Sequence, residues 1–196
     1  MANIFSFGGP QYDVDDVKIA VNNGDGTFGT LIDVPSVDLF QTGIRMKSAE
    51  MRGDARITAL ASQAEAIEFQ MRMGSFPPEV YAILFGVAAQ SSGVVGNRAK
   101  EFAVGAGVRM PYFSIVGRSL AGETAGGTMI WVPYIKIMQT VSVRVEYNAF
   151  SMPEVTAMAV GDPVLTDASG RPLLVKFKEY ETLPSIAMPL PSVAAS

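Results

Sequence analysis

The sequence predicts a mainly β fold, a sandwich or barrel of antiparallel sheets with one flanking α-helix, extended loops and terminal arms. Two segments give the clearest evidence, because apolar and polar residues alternate along residues 64–73 and 141–150. A convincing helix start occurs once, at Pro77-Pro78. Glycine- and proline-rich connections separate the other apolar runs, as is typical of β proteins.

The first predicted element is a β-hairpin. Residues 17–21 and 27–34 flank the turn-forming sequence NNGDG. If Gly26 took the sixth position of a calcium loop, Val21 and Ile32 would occupy the first and twelfth positions, where acidic ligands are required. The sequence therefore predicts a turn and no metal site.

Three strands follow, over residues 44–52, 56–61 and 64–73, with a Gly-Asp turn after the first and Ser62-Gln63 between the others. The third strand has one apolar side and one more polar side. Its apolar side consists of Ile67, Phe69, Met71 and Met73, and its other side of Ala66, Glu68, Gln70 and Arg72. Such a strand faces a core on one side and water or a subunit interface on the other.

A short helix is predicted next. Pro77 and Pro78 suit the first helical turn, where a missing N–H costs no hydrogen bond, and Glu79 favours the positive end of the helix dipole. Val80, Ile83 and Leu84 form an apolar stripe, and the helix is expected to end at Gly86.

The middle of the chain is less regular. Residues 87–107 are rich in Gly, Ala and Ser and predict a long loop, either disordered alone or ordered against a partner. Residues 108–116 and 129–138 predict two strands linked by the glycine-rich stretch 117–128. Because proline cannot donate to a ladder, Pro111 and Pro133 each indicate an edge or a bulge. No phosphate-binding glycine motif is present.

The last predicted strands cover residues 141–150, 154–160 and 173–181. The proline-rich ending LPSIAMPLPSVAAS predicts an extended arm. The expected organisation is a single β domain over residues 1–183, including the loop 87–107, and a C-terminal extended arm over residues 184–196.

The composition argues against catalysis. The chain contains no Cys and no His, which excludes disulfides, thiol nucleophiles, Cys/His zinc sites and every triad that uses His. Glu65 and Glu68 are spaced for opposite faces of a strand, which disfavours a carboxylate pair. The sequence therefore predicts a protein that is not an enzyme and binds no cofactor.

Charge and hydropathy favour self-association. Charged residues make up 17% of the chain, below the ~25% of an ordinary soluble domain. Residues 1–40 carry six acids and one lysine, whereas residues 81–150 carry six basic and three acidic side chains. These segments either pair between copies or form two differently solvated faces.

Two other locations are disfavoured. No apolar run approaches the ~18 residues of a membrane-spanning helix, and the first thirteen residues predict no secretory signal. The sequence contains no dense basic patch, so tight binding to a nucleic-acid backbone is not predicted.

Residues 44–86 carry a more specific pattern. A strand ends in Glu50-Met51-Arg52-Gly53-Asp54, two strands follow, and a short helix ends in Leu-x-Gly at Gly86. This order and spacing resembles the tail tube proteins of long-tailed phages, of the non-contractile, siphovirus type. The close match covers residues 44–86, and the rest of the chain agrees loosely in length and layout.

The resemblance implies a tail-tube fold, hexameric rings and a stacked tube whose inner wall is a continuous β-barrel. It also implies a virion tail location after assembly in the bacterial host cytoplasm. The implied partners are further copies of the chain, the tape-measure protein, and tail terminator and tail-tip proteins, with DNA only in passage and no membrane insertion.

The resemblance also implies two groups of site residues. The lumen-facing candidates are the polar sides of the alternating strands: Arg45, Lys47, Glu68, Gln70, Arg72, Ser142, Arg144, Glu146 and Asn148. The inter-ring and inter-subunit candidates come from the irregular segments: Asp13, Asp15, Asp16, Arg98, Lys100, Glu101 and Phe102. A tube that lets DNA slide should be neutral or negative inside. The mixed signs of the first group therefore suggest that some arginines pair with acids of neighbours.

Two other functions remain open at this point. One is the inner tube of a contractile tail or injection apparatus, which shares the fold and adds a sheath as partner. The other is a tail terminator or another ring-forming virion protein, which would form single rings and no filaments.

Overall fold

The computed structural model describes residues 11–53, 56–75, 77–121, 126–138, 141–142 and 152–190. These ranges contain eleven strands and one helix. In chain order they are β1 (Gln11–Val21), β2 (Ile32–Asp33), β3 (Val37–Gly53), β4 (Arg56–Met73), α1 (Pro78–Phe85), β5 (Gln90–Val94), β6 (Asn97–Glu101), β7 (Phe113–Ala121), β8 (Gly127–Lys136), β9 (Val141–Ser142), β10 (Glu154–Ala159) and β11 (Lys176–Tyr180).

Nine of these strands form one antiparallel sheet. Its order is β2-β1-β7-β8-β10-β4-β3, with β11 paired to β8 and β9 paired to β10. The sheet folds over itself: the Phe40 ring of β3 lies against Gly117 of β7, where an added Cβ would be 2.9 Å from the ring. The end strands β2 and β3 do not pair in the described residues, so the fold is an open sandwich rather than a barrel. The predicted mainly β class with one helix is confirmed.

The main core fills the space between the two layers of the folded sheet. The alternation predicted over residues 64–73 is confirmed from Ile67 to Met73, because the apolar side there is fully buried and Glu68 is exposed. Ala66, predicted on the polar side, is also buried. The largest contributors to this core are Ile19, Ile67, Phe69, Met71, Met73, Tyr81, Leu84, Phe113, Ile115 and Ile135.

Helix α1 confirms the predicted helix. It begins at Pro78, and Gly86 ends it with a left-handed φ of 68°. Val80 and Leu84 of the predicted stripe are buried, and Tyr81 lies beside them in the core. Burial raises the pKa of Tyr81 to about 12.

A second, smaller core lies on the other side of β7 and β8. Trp131 is the one tryptophan of the chain, and its Nε1 donates to Ser114 Oγ at 2.8 Å. Residues 184–190 form no helix or strand, yet Ile186 and Leu190 are buried in this cluster. The predicted C-terminal arm therefore begins packed against the sheet, and residues 191–196 lie outside the described part.

Three predicted boundaries are wrong. Residues 56–61 and 64–73 belong to a single strand, β4, because β3 pairs with it from end to end. Strands β7 and β8 extend into the predicted connection 117–128, since their ladder continues to the pair Leu120 and Gly127. Pro133 lies inside β8 next to a register shift, which agrees with the predicted bulge, whereas Pro111 precedes β7.

The predicted long loop 87–107 is also wrong. Strands β5 and β6 pair over five positions and form a separate two-stranded sheet. Gly93 makes this pairing possible, because a Cβ there would lie 2.0 Å from the carbonyl oxygen of Asn97. Glycines that predicted irregular backbone instead allow a tight hairpin.

The N-terminal hairpin is confirmed with a shorter second strand. Strand β1 pairs with the two-residue strand β2, and Asp25 in the turn accepts hydrogen bonds from the backbone and the hydroxyl of Thr27. These bonds, led by the hydroxyl, lower the pKa of Asp25. Of the predicted strand 141–150, only β9 lies within the described residues. Among these residues, no helix combines the length and apolar character needed to cross a membrane.

Candidate subunit interface

A long hairpin, the β3–β4 arm, comprises residues 44–53 and 56–65. Residues 44–50 and 61–65 are exposed on both faces of the hairpin. Strand β10 pairs with β4 only from Ile67 to Arg72, so the arm is paired only with itself in the described part of the chain. Ten residues of strand span about 33 Å, so the arm is about as long as the longest strands of the body, β1 and β8.

The arm exposes apolar side chains as well as polar ones. Ile44 and Met46 are 54% and 53% exposed. Isolated two-stranded hairpins are marginally stable in water. A hairpin of this length with bare apolar side chains is therefore expected to be covered by another molecule.

Strand β3 also forms one edge of the sheet. Strand β3 has seventeen residues and pairs with β4 on one side. On its opposite side it pairs with no strand among the described residues. An unpaired edge is a template for further strands unless it is short, charged or covered. The opposite edge, β2, has two residues, so β3 is the edge that offers a full ladder.

The predicted lumen residues fall into three groups. Glu68, Gln70 and Arg72 lie on one face of β4, opposite the buried core residues. Arg45 and Lys47 are exposed on the arm. Ser142 is exposed beside Glu154 in the ladder, and Arg144, Glu146 and Asn148 lie outside the described residues.

The two described arginines of the predicted lumen group are paired with carboxylates of their own chain. Arg72 Nε donates to Asp38 Oδ2 at 2.7 Å, and Arg45 lies 3.9 Å from a carboxylate oxygen of Glu65. Gln70 donates to Glu154 on the neighbouring strand β10. Pairing with acids of neighbouring copies is therefore not needed to balance the charge of these two arginines.

The predicted interface residues of the N-terminal strand are mostly paired internally. Arg118 of β7 binds Asp15 and lies 3.9 Å from Asp16, which also lies 3.7 Å from Lys18. Burial, with a hydrogen bond to Asp33, raises the pKa of Asp16. Asp13 differs, since it makes no ion pair with any described residue and only accepts a bond from the N–H of Val14.

The β5–β6 hairpin is attached to α1 by few contacts. Phe102 stacks on Tyr81 and Phe85 with ring centroids 5.4 and 6.1 Å apart, and Lys100 pairs with Glu79. The hydrogen bond from Lys100 lowers the pKa of Glu79. Phe102 and Lys100 therefore hold the hairpin in place, whereas Arg98 and Glu101 are exposed without an ion pair in the described part.

Sequence reasoning missed a buried polar cluster that joins two distant loops. Asp162 is 1% exposed and accepts bonds from Asn22 Nδ2 at 3.0 Å and from the N–H groups of Val164 and Leu165 at 2.9 and 2.8 Å. Asn22 also donates to the carbonyl of Pro133 at 2.7 Å. The sequence Gly-Asp-Pro indicates a turn, but nothing in it shows that the carboxylate is buried. The cluster is structural.

Replacing Asp162 with Ala should lower the free energy of unfolding by about 2 kcal/mol, because the buried Asn22 amide and two part-buried backbone N–H groups lose their acceptor. Urea denaturation measures this change. Asp167→Ala is the matched control: Asp167 also accepts backbone bonds, from Ser169 and Arg171, but it is partly exposed. An equal loss in both variants would contradict the role of burial.

The described residues hold no group of three or more acidic side chains placed to bind a metal ion. A comparison with models of known protein families finds no match to this chain, and a comparison with curated proteins finds none either. The candidate site is therefore defined by its surfaces. They are the exposed β3–β4 arm, the unpaired edge of β3, the polar side of β4 with its paired Arg72, and the exposed β5–β6 hairpin.

Proposed function

We propose that the protein is a structural virion subunit that assembles into stacked hexameric rings, forming the tail tube through which phage DNA passes into the host. The arm carries this proposal. The twenty-residue arm pairs only with itself, and its Ile44 and Met46 side chains are exposed to water. Inserting this hairpin between other subunits would bury these side chains and so stabilise the protein.

The open edge of β3 supports repeated addition. Pairing of this edge with a neighbouring subunit extends the sheet from one copy to the next, and closure of the ring removes the edge altogether. A wall built in this way needs no further component to satisfy its backbone groups.

The polar face of β4 supports a passage for DNA. Glu68, Gln70 and the Asp38-paired Arg72 present a surface on which the one basic group is already paired with a carboxylate. Such a surface lacks the run of unpaired basic groups that would bind successive phosphates and hold the DNA in place.

Electron microscopy of the purified protein in negative stain tests the proposal. We expect concentration-dependent, hollow filaments of uniform width. Single rings that do not stack would favour a terminator-like role, and a strictly monomeric protein at high concentration would contradict self-assembly. Filaments filled or decorated by added linear DNA at low salt would contradict a non-binding lumen.

A further inference from the structure

The tip of the β5–β6 hairpin is unusually apolar for a turn. Val94 and Val95 are 73% and 83% exposed, although turn tips normally carry polar residues. Val94 pairs with Asn97, so Val95 and Gly96 form a two-residue connection, with Gly96 at a φ of 91°. The glycines fix the shape of the turn and leave both valines pointing away from their own fold.

A cleft of 530 Å³ lies elsewhere on the surface, at the edge of the main core. Its apolar lining includes Val14, Phe40, Ile130 and Phe177, and Phe177 is 54% exposed. Gly117 forms part of the lining and leaves room for the Phe40 ring. The cleft therefore combines apolar side chains with polar and charged ones, and no described residue of its own chain fills it.

Charge distinguishes the two surfaces. The charged residues of the cleft are Asp13, Asp38 and Arg118. Asp38 and Arg118 are paired with Arg72 and Asp15, whereas Asp13 has no ion-pair partner among the described residues. The hairpin carries Arg98, three residues after the tip, which is exposed and equally without a described ion partner. An unpaired acid at the recess and an unpaired base beside the apolar tip are complementary.

We propose that the Val94–Val95 tip of one subunit inserts into the cleft lined by Phe40, Ile130 and Phe177 of a second copy, with Arg98 pairing with that copy's Asp13. This inference rests on the proposed self-assembly and names one contact within it. Tip and cleft are different surfaces, so the contact is heterologous. It generates a ring where the rotation closes and a helical row where it does not.

Cysteine cross-linking tests the contact directly, because the chain has no Cys of its own. Val95→Cys and Phe177→Cys are made as two separate variants, and both positions are exposed. One of the two variants carries a solubility tag, so that mixed dimers differ in size from dimers of either variant alone. We expect mild oxidation to cross-link the mixture into mixed dimers far more than either variant alone. In the control mixture, Val160→Cys, which is also at an exposed position, takes the place of Val95→Cys.

A second measurement uses the native surface. Val94→Ser with Val95→Ser should raise the critical concentration for assembly at least ~10-fold, the effect of losing roughly one buried valine, while the melting temperature stays unchanged. Val160→Ser is the matched control and should leave assembly unaltered. Asp13→Asn should weaken assembly and make it less sensitive to salt.

The outcomes separate this contact from the proposed function. Normal filaments without mixed cross-links, and with an unchanged critical concentration for the serine variant, would overturn the contact and leave the tube intact. Mixed cross-links without filaments would support the contact and contradict the tube. Symmetric cross-links of the tip variant with itself would overturn the heterologous arrangement.

Discussion

Replacing residues 47–63 with an Asn-Gly turn should abolish tube formation and leave a folded monomer. Met46 and Ala64 face each other in the ladder, so a two-residue turn of this type closes the shortened hairpin without changing its register. In the described structure the removed strand residues pair only with each other, and residues 47–50 and 61–63 are exposed. Electron microscopy and sedimentation measure assembly.

Circular dichroism and thermal melting establish that the shortened protein is folded. A melting temperature close to that of the parent, together with the loss of filaments, is the expected combination. Filaments of normal width and length from the shortened protein would show that the arm has no part in assembly. As a milder change, Ile44→Ser with Met46→Ser tests whether the bare apolar side chains alone account for the effect.

The second large effect concerns stability. Phe69→Ala should lower the free energy of unfolding by ~3–5 kcal/mol, because it removes a fully buried ring from the main core and leaves a cavity. The Phe69 ring packs edge-on against Phe40, with centroids 5.4 Å apart, so the loss extends to the contact between the two layers.

Glu68→Ala is the control for this prediction. Glu68 is the preceding residue of β4 and is exposed on the opposite face, so its replacement is expected to change stability by no more than ~0.5 kcal/mol. Chemical denaturation of both variants measures the difference. Similar losses would mean that the two faces of β4 are not one buried and one exposed.

The sequence predicted the fold best where periodicity and burial agree. Along residues 67–73 each apolar residue enters the core, and around α1 the prolines and Gly86 mark both ends. The boundaries of β4 and β7 were harder to predict because ladder pairing with distant strands decides them. Ser62-Gln63 looks like a break in the sequence, yet β3 supplies hydrogen-bond partners across it.

The candidate site was less predictable for the same reason. The sequence shows that Arg72 and Asp38 are charged, but only the fold brings them together across 34 positions. Glycine content hid the β5–β6 hairpin, because Gly93 and Gly96 predict flexibility unless the close backbone contact at Gly93 and the positive φ of Gly96 are known. The recess beside Phe177 is lined by residues of five strands, so no single segment of the sequence predicts it.

The position of Trp131 has a practical consequence. This single indole is buried in the second core, hydrogen-bonded to Ser114, and shares that core with Ile186 and Leu190 near the C-terminus. Among the described side chains, the arm, the β3 edge and the valine tip contribute nothing to this cluster. Tryptophan fluorescence therefore provides an intrinsic optical signal for docking of the C-terminal segment, separate from these three surfaces.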